Sequence, residues 1–189
     1  MCHALGGPGL RLAIEVGVDS IEHGAYLDED PDLLQMMVDK DIYFIPTFSV
    51  YTHDAVKGTP HGRARAAELR DHHVKSLELA MAAGVKVVTG TDEGGWEHGN
   101  NAHEINMLVE AGMVPMRAIV AATGHAALCL GLEAEIGRVA NSLQADLILV
   151  DGNPLEDMTR LEHGESVRFV MKGGVLHLDR REVGHGAST

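Results

Sequence analysis

The sequence predicts an α/β fold built on parallel strands, and three observations support it. A helical stretch, a Gly or Asp turn and a short β-branched run recur three times before residue 93. The runs IYFI and VKVV are continuous rather than alternating, as in strands covered on both faces. Each run is soon followed by a side chain with chemistry to offer: His23, Thr47 or Asp92. Parallel strands joined by helical crossovers give this pattern.

In the first unit Leu10, Ala13, Ile14 and Val16 make a helical face, Gly17 stops it, and a strand over Val18–Ile21 leads to His23. Leu33, Met36 and Met37 mark the second helix, and Ile42–Ile45 the strand before Pro46 and Thr47. Val74, Leu77, Ala80 and Met81 form the third helical face, with Gly84 as its cap, Val85–Val88 as its strand and Asp92 beyond. Function in such sheets gathers at the carboxyl ends of the strands, so all three units deliver polar residues to one edge. A glycine-rich loop, DEGGWEHGNN, follows, then two amphipathic helices from Ala102 and Pro115, the proline suiting a first helical position. From Ala145 the pattern turns to short strands, with Gly173-Gly174 placed as a hairpin turn. The expected division is residues 1–140 and a small β segment over 141–189, packed together without a long linker. The closing EVGHGAST reads as a frayed end.

Composition narrows the function classes. Fifteen Lys and Arg against 28 Asp and Glu give 15 − 28 = −13 over 189 residues, which excludes an electrostatic partnership with nucleic acid. No apolar run is long enough for a transmembrane helix, and MCHALGGPGL is no secretory signal, so no membrane partner is expected. Two distant cysteines, Cys2 and Cys129, imply no disulfide framework; the expected location is the cytoplasm. Twelve histidines, with no tag-like run, direct the search to metal ligands.

Singly, each candidate has a plain alternative. His3 suits a solvated end, His23 a core histidine satisfied by backbone, and Asp92 a loop cap. Jointly, two imidazoles and a carboxylate after parallel strands match a divalent ion, which takes neutral nitrogens and a hard oxygen and leaves a place for water. Such an ion acidifies water and polarises a carbonyl, and a neighbouring carboxylate can take the proton.

The segments CHALGGPGLRLAIEVGVDSIEHG, GTDEGG, HGNNAHEINMLVEAGMVPMRAIVAATGHAALCLGL, ADLILVDGNPLED and VMKGGVL carry a resemblance. Across nearly the whole chain they resemble the second half of an amidohydrolase-superfamily enzyme, in its imidazolonepropionase-like and Xaa-Pro dipeptidase-like branch. The resemblance implies strands 5 to 8 of a metal-dependent (β/α)8 barrel, a partial TIM barrel, followed by part of a small composite β-sandwich. It implies one or two ions, usually Zn2+, with His3 after the fifth strand and His23 after the sixth as metal ligands. Asp92, after the eighth, would be both ligand and base, moving a proton from the attacking water to the leaving amine. The implied reaction is hydrolysis of C–N bonds in amides, cyclic amides or dipeptides. His98 resembles a loop position facing the site, and Tyr51 and His53 follow the seventh strand; a wet loop accounts for these three equally well. His72, His73 and His125 read as surface or packing residues, and Cys129 as a small core side chain.

The departures shape what is expected of this chain alone. The family's His-x-His pair and its bridging lysine precede the position of His3, where only Met1 and Cys2 stand. A complete barrel takes about 250 residues, so a C-terminal fragment with weak or absent metal binding and little activity is expected. Its partner would be a missing N-terminal half, or a second copy meeting it through the open barrel edge. The alternative is a non-catalytic remnant or half-barrel interaction module that keeps its ligand residues by descent. A Glu-Pro-Gly-Lys-like turn of the family is replaced by Ala140-Asn141-Ser142-Leu143, which puts the turn geometry there in question.

Overall fold

A computed structural model describes residues 1–94 and 98–181. Glu182–Thr189, read above as frayed, lies outside the described residues, as does the centre of the glycine-rich loop. Strands β1 (Cys2–Ala4), β2 (Ser20–His23) and β3 (Tyr43–Ile45) form a parallel sheet in that order. Ile21 pairs with Cys2 on one side and Phe44 on the other, and both Ile21 and Phe44 are fully buried. The strand expected over Val85–Val88 is reduced to one parallel bridge, Val87 with Phe44. Phe44 N–H donates to Lys86 O and Val88 N–H to Phe44 O, each at 2.9 Å. This segment therefore extends the sheet by a fourth position without a regular ladder.

The crossovers are α1 (Gly7–Val16) and α2 (Asp32–Asp39), then the pair α3 (Phe48–Lys57) and α4 (Pro60–Ala83). Gly17 ends α1 at φ 79°, its N–H reaching the Ala13 and Ile14 carbonyls, a left-handed cap that glycine adopts without steric conflict. Thr59 caps α4 by accepting from Gly62 N–H at 3.1 Å, with Pro60 as the first helical residue. Tyr51 and His53 thus stand on a helix rather than in a loop, a difference that traces to a cap supplied from far along the chain. Ser76 of α4 donates to the Ala25 carbonyl and accepts from Asp28 N–H, fastening this helix to the loop after β2.

Beyond the fourth sheet position come α5 (Ala102–Glu110), α6 (Pro115–Ala122) and α7 (Gly124–Cys129). The sequence predicts one helix where α6 and α7 stand. Thr123 breaks it at φ −130°, ψ −85°, its hydroxyl donating to Ile119 O at 2.7 Å and competing with the helical backbone. The last segment holds an antiparallel sheet of β4 (Leu147–Val150), β5 (Val167–Lys172) and β6 (Val175–Asp179). Gly173 and Gly174, at φ 56° and 77°, supply the two left-handed residues of a tight hairpin turn. Ser142 also takes a left-handed φ, 70°, within the segment whose turn geometry the sequence put in question. His103 on α5 and Glu162 meet at 3.0 Å, linking this segment to the helices. No helix among the described residues is long and apolar enough to cross a membrane.

Among the buried polar side chains, Glu104 and His73 bear on how α3 is held. Glu104 of α5 is fully buried and accepts from Phe48 N–H and Ser49 N–H at 2.8 Å and from Ser49 Oγ at 2.5 Å. It is the N-terminal anchor of α3, meeting two otherwise orphaned donors and the positive end of the helix dipole. Burial pushes its carboxyl above the ordinary range while those three donors pull the other way. His73 of α4 is 1% exposed, its ring 4.1 Å from that of Phe48 and 5.2 Å from that of Tyr51. Burial lowers its pKa to about 4, so it is neutral in the fold at pH 7.

Glu104→Ala leaves three donors without an acceptor and should destabilise the fold by about 3 kcal/mol, with Glu104→Gln intermediate; denaturant midpoints check this, and equal midpoints for all three proteins would contradict it. His73 predicts a pH effect of defined sign. The unfolded chain takes up its proton near the ordinary histidine value of 6.5, whereas the fold resists until about pH 4. The stability held above pH 6.5 therefore drains away as pH falls through this window, by about 2–3 kcal/mol at pH 4.5. Comparing His73→Phe with the parent chain at pH 7 and 4.5 isolates this term, and parallel losses in both would refute it.

Candidate functional site

The chemistry-bearing residues sit where the parallel strands end. His23 closes β2, Thr47 follows β3 by two residues, and Asp92 follows the Val87 bridge. All three have left-handed backbones, with φ of 73°, 57° and 53° respectively. Only two other described non-glycine residues, Asp41 and Ser142, share that conformation, so three of the five gather at one sheet edge. For a branched residue such as Thr47 this costs about 1–2 kcal/mol, and backbone strain of this kind collects at functional sites.

His3, His23, Tyr51, Arg65 and Asp92 line a single recess of about 240 Å³. The His3 and His23 rings meet edge to face with centroids 4.4 Å apart, and the Tyr51 ring stands 6.0 Å from His23. His23 is 3% exposed, and its Nδ1 lies 2.6 Å from Thr47 Oγ1. His3 and Asp92 are exposed. Burial foremost, and repulsion from His3 next, lower the pKa of His23 against an opposing pull from Asp92. The imidazole is thus kept neutral at pH 7, the state in which a nitrogen can bind a metal. Glu22, half-buried beside these residues, is raised chiefly by burial, with its bond to Ser20 acting in the opposite direction. A larger cavity of about 480 Å³ shares Tyr51 and Ala66 with the recess, but its lining from α3, α4 and α5 is mostly apolar.

The donor types suit a divalent ion, and their number falls short. Two imidazoles and a carboxylate face the same recess, yet no three His, Cys, Asp or Glu side chains among the described residues stand close enough to share one ion. His3 and His23 form an adjacent pair, and Asp92 reaches the recess separately. His98 lies outside the lining set; it is exposed, 3.8 Å from Glu93. Sequence reasoning missed Arg65 and Glu104. Arg65 carries no local signal, being one cation on a polar helix face. Glu104 did carry one, because an acid four residues before Leu108 falls on the buried stripe of its helix.

Comparison with known proteins places this geometry in context. The sequence profile of the Amidohydrolase family matches residues 1–176. The ochratoxinase of Aspergillus niger is 35% identical over 180 residues, covering 92% of this chain and 37% of the relative. A crystal structure of a Xaa-Pro dipeptidase with methionine in its active site superposes with a TM-score of 0.83 at 37% identity, covering 93% of this chain and 44% of that one. A prolidase complexed with N-methylphosphonate-L-proline gives a TM-score of 0.85 at 30% identity, again covering 44% of its length. The chain spans about two fifths of these relatives and matches their C-terminal part. With strand ends, recess and profile in agreement over nearly all of its length, the chain belongs to the amidohydrolase family.

Proposed function

We propose that this chain is the C-terminal half of a metal-dependent amide hydrolase, contributing strands 5 to 8 of its barrel through residues 1–140 and a β-sandwich segment through 141–189. The observation that carries this reading is the convergence of His3, His23 and Asp92 on one recess, across almost ninety positions of sequence. His3 and His23 would hold a divalent ion, zinc by the preference of imidazole donors, and Asp92 would add a carboxylate oxygen to the set. The remaining ligands come from the half that the relatives carry N-terminal to the matched region, which explains why the described residues stop short of a full set. When bound, the ion supplies Lewis acidity to the amide carbonyl and to the attacking water. Asp92 takes the proton of that water and delivers it to the leaving nitrogen, so that C–N cleavage expels a neutral amine. Tyr51 forms a wall against the substrate, whereas His98, exposed beside Glu93 and outside the lining, would reach the substrate only if its loop moved.

Arg65 refines the substrate class. Its guanidinium lines the recess and makes no ion pair among the described residues, in a chain with a net charge of −13. A planar cation placed so is suited to receive a carboxylate. Methionine and N-methylphosphonate-L-proline, bound by two of the relatives, each carry one. The substrate is therefore an amide with a free carboxylate beside the scissile bond: a dipeptide or an N-acyl amino acid.

Fusing this chain behind the N-terminal portion of the Xaa-Pro dipeptidase should give zinc-dependent hydrolysis of N-acyl amino acids. Asp92→Asn in that protein should lower kcat by about 10²–10⁴. A folded fusion without zinc or activity would favour the remnant reading. In the same protein Arg65→Met should raise KM by about 10–100-fold with kcat little changed, and only for substrates with the free carboxylate. An equal effect on the matching carboxamides would remove Arg65 from this role.

A further inference from the structure

The contacts around Thr47 determine which nitrogen of His23 carries the proton. Thr47 Oγ1 lies 2.6 Å from the Pro46 carbonyl oxygen and 2.6 Å from His23 Nδ1. A threonine hydroxyl has one proton to give, and a carbonyl oxygen can only accept. That proton is therefore committed to Pro46, and the hydroxyl meets His23 with a lone pair. The imidazole must then donate from Nδ1, which leaves Nε2 of the neutral ring unprotonated. Nε2 has no hydrogen-bond partner among the described residues and is not among their sealed polar atoms, while the His23 ring lines the recess.

The hydroxyl is itself held from two directions. Thr47 is 1% exposed and adopts its left-handed φ immediately before Phe48 and Ser49, whose N–H groups Glu104 grips at 2.8 Å. The grip fixes where α3 begins and with it the turn that presents the hydroxyl. We infer that Thr47 is a positioning residue whose hydroxyl locks His23 as the Nδ1–H tautomer, so that the Nε2 lone pair is the one offered to an electrophile in the recess, and that Glu104 secures this arrangement through the first turn of α3. The inference rests on the proposed role of His23 as a ligand, but the tautomer is a property of this chain that can be read without metal or substrate.

The test uses the chain with 15N-labelled histidine at pH 8, where long-range proton–nitrogen correlations distinguish the neutral tautomers; the His23 signals are those lost in His23→Gln. The expected result is protonated Nδ1 and bare Nε2 in the parent chain, kept in Thr47→Ser. Thr47→Val, which preserves shape and removes the hydroxyl, should shift the ring to the Nε2–H form or to a mixture. In the fused protein, zinc affinity measured by competition with a chromogenic chelator should fall by about 10–100-fold in Thr47→Val and recover in Thr47→Ser. An Nε2–H ring in the parent chain, or an unchanged tautomer in Thr47→Val, would overturn the inference; should the valine variant fail to fold, the parent and serine spectra decide. An Nδ1–H ring in a fused protein that hydrolyses no amide would sink the functional reading and leave this one standing.

Discussion

Three consecutive strand ends share a backbone conformation that branched side chains resist, and the layout of the surrounding structure follows from keeping them in it. At His23, Thr47 and Asp92 the backbone takes a positive φ just where the strands end, and His23 and Asp92 line the recess. Around the first turn the restraint comes from backbone: Gly24 N–H reaches Ala4 O at 2.9 Å and Tyr26 N–H reaches Leu5 O at 2.8 Å. Gly24 has no alternative there, since a Cβ would stand 2.7 Å from the Phe44 ring. Around the second turn the restraint comes from Glu104, a carboxylate more than fifty residues away in sequence. Strain of about 1–2 kcal/mol at the branched Thr47 is small beside the apolar burial of Ile21, Phe44, Leu77 and Leu108. A packed core can hold a few such turns, and it holds them where they aim side chains into one recess.

How much of this was legible in the sequence depends on whether the cause was local. The strands ending at His23 and before Pro46 could be read because β-branched and aromatic runs between glycine or aspartate turns are local signals, and the structure places them within two residues of expectation. The caps at Gly17 and Gly84 could be read for the same reason, both glycines holding left-handed φ. α3 could not, because its first turn depends on a distant partner and its own residues, FSVYTHDAVK, show no clear apolar stripe. Val85–Val88 misled in the other direction: the segment has strand composition, but among the described residues it finds only Phe44 to pair with. Thr123 hid a helix break because side-chain competition for a backbone carbonyl leaves no periodic trace. At the site, residue types and their order pointed to His3, His23 and Asp92, whereas Arg65 gained meaning only when folding placed it in the lining with them.

The acidity of the chain and the make-up of the recess pull in opposite directions, and the contrast has chemical content. Most described ion pairs satisfy surface acids locally, as Arg11 does with Asp30, Lys75 with Glu78 and Arg181 with Asp179. Among the described residues the recess is lined by an arginine, two imidazoles and one carboxylate, Asp92. With neutral imidazoles the charges of Arg65 and Asp92 balance, so an anionic group meets less repulsion in the recess than on the acidic surface around it.

The two imidazoles are not equally prepared, and the sheet explains why. His23 lies on the middle strand, with pairing on both sides, and its ring is tied to Thr47 and 3% exposed. His3 lies on the outermost strand, paired on one side among the described residues, and its side chain is exposed. A ligand already fixed in place binds without further loss of side-chain freedom, whereas a mobile one must be ordered at the moment of binding. Preorganisation therefore declines from the centre of the sheet toward its free edge. A neighbouring strand on the far side of β1 would restrain the backbone of His3 as β1 and β3, on either side, restrain the strand that carries His23. On the proposed reading, pairing of the free edge of β1 and completion of the ligand set would be a single physical event, because both act on His3.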